Sequence, residues 1–335
     1  MNFFRVIKGK NAWIFSGMII LTFFSIVMSI TFGPATITSN DIFQCVVNEC
    51  ASPMHDMVIW QIRIPRVLVG LVAGMGLACA GAILQNVTRN PLADPYLFGI
   101  ISGAGLGATI ATLILSEEQM LALPLAAFLG ALFSVIIVFG IATLLRNMNH
   151  LLLTGVAVSF MLGSISHFIL YLGDPFATNR VIFWLMGSLT RVEMFHFYLI
   201  SIMVLLTLVT IFAFHRQIDA LLLGDESAAS LGVNVDKLRI ILLALCAAVT
   251  ATIVAYCGGI GFVGLMIPHI VRQLVGVTTM PLIVGSTLIG GCFLVWVDVL
   301  ARSALSSVEI PIGIITSAIG SIFFLAIMYR TRKTG

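Results

Sequence analysis

Charge is what this sequence has least of. Asp, Glu, Lys and Arg make up 9% of its 335 residues, hydrophobic residues make up 60%, and the mean hydropathy is +1.13. Such a composition excludes a soluble domain and leaves an all-α polytopic membrane protein. Ionisable residues inside the apolar runs are scarcer still, which argues against a transporter driven by an ion gradient through a relay of mid-membrane acids. The sequence also has no G-x-x-x-x-G-K-[ST] phosphate cradle, no H-E-x-x-H zinc pair and no G-x-S-x-G elbow. Nucleotide hydrolysis and intramembrane proteolysis therefore lack their usual parts, so the chain is read as no enzyme. No cofactor, resident metal or nucleic acid is expected.

What is present is a series of ten apolar runs. They are Ala12–Phe32, Val67–Val87, Tyr96–Ser116, Met120–Leu145, Leu151–Leu172, Met194–Phe214, Ile240–Cys257, Ile260–Val271, Met280–Val297 and Ile310–Tyr329. Most reach the ~20 residues a helix needs to cross a bilayer. The eighth is short, and its glycines suggest irregular backbone buried inside a bundle. Glu117 and Glu118 mark the far end of the third run, and Gly33 to Gln61 reads as an external loop. After the fifth run, GDPFATNR reads as a loop and Val181–Leu189 as a short amphipathic piece on the surface. Gly99, Gly103 and Gly107, one helix face of the third run, and Gly70 and Gly74 in the second have the spacing of close helix packing. Ten spans put both termini on one side. If that side is the cytoplasm, Arg63, Arg66, Arg180, Arg191 and Arg302 lie outside and the other twelve of the 17 Lys and Arg residues lie inside, as the positive-inside rule requires.

One long polar interruption, Arg216 to Lys237, then falls on the cytoplasmic side. Its sequence suggests two short helices, Gln217–Leu223 ending at Gly224 and Glu226–Leu231 ending at Gly232, with Asp225 capping the second. It is either a docking knob or a solvated loop. Cys45 and Cys50 share the outer loop, where a disulfide is open, whereas Cys79, Cys246, Cys257 and Cys292 read as packing residues. Asp298 sits one helical turn before Arg302, the spacing of a local ion pair. Phe160, Ser164, His167 and Tyr171 share one face of the fifth run, suited to interhelical hydrogen bonds or to lining a path.

The run RIPRVLVGLVAGMGLACAGAILQNVTRNPLADPYLFGIISGAGLGA, Arg63 to Ala108, resembles the signature of the FecCD family of ABC importer permeases. The likeness continues in LLLTGVA, WLMGSL, LLLGDESAASLGV, GGIGFVGLMIPHIVR, DVLAR and EIPIGIITSAIGSIFF. The family takes up ferric siderophores, haem, cobalamin and, in some members, oxyanions such as molybdate. The resemblance implies a single permease domain in a bacterial inner membrane, dimerised with a second permease subunit, an identical copy being favoured. It implies two cytoplasmic ABC ATPase subunits, a periplasmic binding protein and transport by alternating access. It assigns ATPase coupling to Leu221, Leu223, Gly224, Asp225, Glu226, Ala229, Leu231 and Gly232, and binding-protein docking to Arg63, Arg66 and Arg302. Asn90, Leu92 and Asn149 become candidates for an inner gate, although NPLADP could equally be a rigid reversal.

Overall fold

The computed structural model describes residues 10–33, 38–47, 50, 52–114, 122–145, 148–305 and 308–334. Among them every regular element is helical. Eight helical stretches are long and apolar enough to cross a membrane. They are α1 (Lys10–Thr31), a rod running from Pro53 to Thr88, α6 (Ala122–Leu145), α7 (Met148–Leu172), α9 (Met194–Leu221), α11 (Val235–Cys257), α13 (Thr279–Ser303) and α14 (Ile312–Thr334). Two shorter apolar helices, α5 (Ile100–Ile114) and α12 (Val263–Val275), account for the other expected runs. Three more are short: α2 (Ser39–Val47), α8 (Pro175–Leu185) and α10 (Asp225–Ser230). Glu117 and Glu118 lie outside the described residues.

The rod is the axis of the bundle. It comprises α3 (Pro53–Asp56), a π-helical stretch (Met57–Arg63) and α4 (Ile64–Thr88). Pro65 has no N–H to offer the carbonyl of Gln61, and just before it the hydrogen bond widens, from Ile64 N–H to Ile59 O, as π-bulges do. The most apolar window of the rod is 89% buried, against 22–33% for α1, α6, α7, α9 and α14. Those outer helices present their remaining faces to lipid or to another subunit. Small residues allow the close approach in the middle, where a Cβ at Gly74 would strike the carbonyl of Gly290 on α13. On α5 a Cβ at Gly103 would strike Gly130 O, and one at Gly107 would strike Ala126 O, both on α6. The four-residue glycine spacing is thus a packing device, as expected.

Several expectations need correction. The third run is broken: Pro95–Phe98 is a 3-10 turn, Gly99 takes φ +73°, and α5 starts afresh at Ile100. GDPFATNR is a helix start, because Asp174 accepts from the N–H groups of Phe176 and Ala177 at 2.9 and 3.0 Å and Pro175 fills the first turn. The resulting α8 buries Val181 completely while Phe176 and Phe183 stay exposed, so it packs by one side and leaves the other open, the amphipathic character expected of this stretch. At its end, Gly187 (φ +78°) and Gly258 (φ +70°) let three segments meet backbone to backbone. Ser188 N–H bonds to Cys257 O at 2.9 Å, Ile312 N–H to Gly187 O at 3.0 Å and Gly313 N–H to Met186 O at 3.1 Å. Irregular backbone survives in a membrane protein where its polar groups satisfy one another in this way. Gly33 to Gln61 is no plain loop, since it holds α2, α3 and the first residues of the π-helical stretch, and Cys45 is bonded to Cys50.

Candidate functional site

The polar interruption keeps one of its two expected helices. α9 continues without a break through Gln217 to Leu221, because no glycine or proline interrupts it and Ile218 and Leu221 face inward at 0% exposure. Leu221 is therefore core and unavailable to a partner. The second helix forms as α10, but Gly224 (φ +115°) is its N-cap and Asp225 its first residue. Leu223 and Leu231 stand out at 70% and 66% exposure. Glu226, Ala229 and Gly232 (φ +82°) are exposed beside them. Asp225, half-exposed, takes Arg89 Nη2 at 2.9 Å and Arg239 Nη2 at 3.0 Å on Oδ1. Its carboxylate is thus paired within the chain.

Arg89 caps the end of α4 with φ +52°, and the turn Asn90–Pro95 follows. Asn90 Oδ1 accepts from Leu92 N–H at 3.0 Å, and Asp94 Oδ1 accepts from Tyr96 N–H at 2.8 Å. Burial pushes the Asp94 carboxyl up to about 6, partly offset by that backbone hydrogen bond. Tyr96 Oη in turn accepts from Ile260 N–H at 3.3 Å. The turn is thus held by its own side chains, while Leu92 remains 57% exposed. Asn149 lies in the first turn of α7.

At the opposite end of the bundle lies a second cluster of charge. Arg66 Nη2 meets Asp298 Oδ1 at 2.8 Å, and its Nη1 and Nη2 grip both oxygens of Glu309 at 3.0 and 2.8 Å. Arg302 Nε approaches Asp298 Oδ2 at 3.3 Å and its Nη2 donates to Ser29 O at 3.0 Å. Arg63 Nη1 donates to Ile30 O at 2.8 Å. The three arginines are 3–6% exposed, so all three are interior groups in this conformation. The expected local Asp298–Arg302 pair exists, but Arg66, 232 residues away in sequence, is the closer partner. Arg66 and Glu309 also border a cavity of about 760 Å³, which Trp184, His196 and Tyr256 help to line. The His196 ring accepts from Glu193 N–H at 2.8 Å and stacks on Tyr256 with centroids 4.7 Å apart.

Ser164, His167 and Tyr171 lie on an exposed face of α7 with Phe160. The sequence reading missed Glu309, Arg89 and Arg239. A signal was available for the first, since a lone acid beside an apolar span calls for a cation.

These features define a class: a polytopic helical permease with a buried central rod, broken spans and a small helix displayed at one end. The chain belongs to the FecCD transport family, whose pattern matches residues 20–330. It is 39% identical over 276 residues to the cobalamin import system permease protein BtuC of Halobacterium salinarum, covering 81% of this chain and 73% of that one. To the hemin transport system permease protein HmuU of Yersinia pestis it is 38% identical, covering 82% and 84%. A solved inward-facing conformation of a metal-chelate type ABC transporter superposes with a TM-score of 0.85 at 30% identity, over 95% of this chain and 99% of that one.

Proposed function

We propose that this chain is the membrane-spanning permease subunit of an ATP-driven importer, carrying a metal chelate of the cobalamin, haem or ferric-siderophore class across a bacterial inner membrane by alternating access. Two copies would enclose the path, with the exposed face of α7, Ser164, His167 and Tyr171, turned toward it. The observation that carries the reading is the surface of α10. In a chain with so little charge, Leu223 and Leu231 stand exposed on either side of α10, beside Glu226, an arrangement suited to the groove of a cytoplasmic partner. That partner would be one of two ABC ATPase subunits, since this chain carries no phosphate cradle of its own. The termini and α10 would then be cytoplasmic, in accord with the distribution of Lys and Arg.

A periplasmic binding protein would dock at the other end through carboxylates. Of Arg63, Arg66 and Arg302, its candidate contacts, Arg63 and Arg302 would be reached only if the bundle opened at this end, and Arg66 under a milder condition. A partner's carboxylate reaches Arg66 by displacing Glu309, whose side chain is 35% exposed. Asn90, Leu92 and Asn149 would form the inner gate.

Uptake into proteoliposomes holding this chain with its ATPase and binding protein tests the reading. Ferric siderophore, haem, cobalamin and molybdate are offered with and without internal ATP. ATP-dependent uptake of one of the metal chelates is expected; uptake of molybdate would move the cargo to the oxyanions, and uptake driven by an ion gradient without the ATPase would overturn the proposal. Glu226→Arg reverses the charge on the displayed face. It is expected to lower ATP-driven uptake at least about tenfold while the permease stays folded, and unchanged uptake by this variant would remove α10 from the ATPase interface.

A further inference from the structure

The bridge from Arg89 to Asp225 joins the two inner features that the fold otherwise builds separately. Arg89 is a non-glycine residue in the left-handed region, at φ +52°, where glycine or asparagine usually ends a helix. An outlier of this kind points to a demand on the side chain. That demand is visible, because Arg89 Nη2 lies 2.9 Å from Asp225 Oδ1, and Arg89 is followed at once by the turn that carries Asn90 and Leu92. On the other side, Arg239 fixes Asp225 to α11 through Oδ1 at 3.0 Å and Oδ2 at 3.2 Å. Its side chain is 9% exposed, whereas those of Arg89 and Asp225 are 43% and 44% exposed. The buried arginine is the anchor, and the half-exposed one is the link free to pull.

We propose that the Arg89–Asp225–Arg239 bridge transmits the movement of α10 to the turn Asn90–Pro95, with Arg89 as the positioning residue of the inner gate. The inference rests on the reading of α10 as the surface driven by a nucleotide-binding partner. A force on α10 moves Asp225, the first residue of that helix. The guanidinium of Arg89 follows the carboxylate, and the backbone of Arg89 leads directly into the turn. Asp225 is held by two arginines of its own chain, so its loss is expected to change how movement is passed on rather than whether the partner binds.

The test uses the permease assembled with its co-purified ATPase in lipid nanodiscs, and maleimide labelling of a Leu92→Cys variant as its readout. Cys79, Cys246, Cys257 and Cys292 are buried and Cys45 is bonded to Cys50, so the label reports on the turn. ATP with vanadate is expected to change the labelling rate about fivefold or more in that parent, the range of an ordinary coupling between sites. Adding Arg89→Gln should reduce the change to within about twofold while the ATPase still co-purifies, and Arg89→Lys should restore most of it. Asp225→Asn should behave as Arg89→Gln does, and the double variant should be no worse than either, as expected of partners in one interaction. A full nucleotide response in Arg89→Gln or in Asp225→Asn overturns the link alone. A parent whose turn ignores nucleotide, or from which the ATPase does not co-purify, overturns the reading of α10 as well.

Discussion

An Asp298→Asn permease is expected to lose about 3–5 kcal/mol of stability, the cost of removing one partner from a buried ion pair. The carboxylate of Asp298 stands between two cations, with Arg66 at 2.8 Å on one oxygen and Arg302 at 3.3 Å on the other. Asparagine keeps the shape and one acceptor, but turns an amide N–H₂ toward a guanidinium group. Arg66 would retain both oxygens of Glu309. Arg302 would retain one backbone carbonyl, Ser29 O, and so becomes the uncompensated charge. The fall should therefore be reduced in Asp298→Asn combined with Arg302→Met, which removes that charge and keeps much of its volume. Denaturation midpoints in mixed micelles would decide it. A single variant within about 1 kcal/mol of the parent would mean that the cluster is solvated and behaves as a surface pair.

The spans were legible because hydropathy over some twenty residues is a sum, and a sum tolerates local error. Their ends and breaks were not, because each depends on a partner remote in sequence. α9 runs through the expected helix break because Ile218 and Leu221 find a core to enter, a tertiary fact that local spacing does not contain. GDPFATNR has the composition of a loop, yet Asp174 followed by Pro175 is a helix start, and that capping signal could have been read. Spacing revealed the pair four residues apart, Asp298 and Arg302, and was blind to the closer partner Arg66. For the same reason Arg63, Arg66 and Arg302 look like surface groups in sequence and are interior groups in the fold. At the end that carries α10, composition marked a displayed element, and most of α10 is exposed. It could not show that Asp225 is paired within the chain, because Arg89 lies 136 residues away.

Gly74→Val is expected to be at least as damaging as Asp298→Asn, because both act on one seam. α4 and α13 run antiparallel in a constant register. Asn86 meets Thr279 at one end, Gly74 meets Gly290 in the middle and Arg66 meets Asp298 at the other end. A Cβ at 74 falls on the carbonyl of Gly290, and Leu294 Cβ lies within 2.8 Å of it. These are atoms at or next to the backbone and cannot rotate away, so the helices must separate. Within a bilayer, close packing is itself what holds helices together, since lipid is as apolar as the side chains it would replace. Overpacking alone costs about 1–3 kcal/mol, occasionally more. Separation at Gly74 also strains the Arg66–Asp298 pair two turns away, roughly 12 Å along the helix. A loss of about 3 kcal/mol or more is therefore expected, and Gly74→Val with Asp298→Asn should fall short of the summed single effects. Gly17→Val is the control, because nothing lies within 4 Å of a Cβ there, and it should leave the unfolding midpoint within about 0.5 kcal/mol of the parent. Equal midpoints for Gly17→Val and Gly74→Val would show that the bundle is not held by this seam, and Arg66 and Arg302 would then owe their positions to something other than the register of α4 on α13.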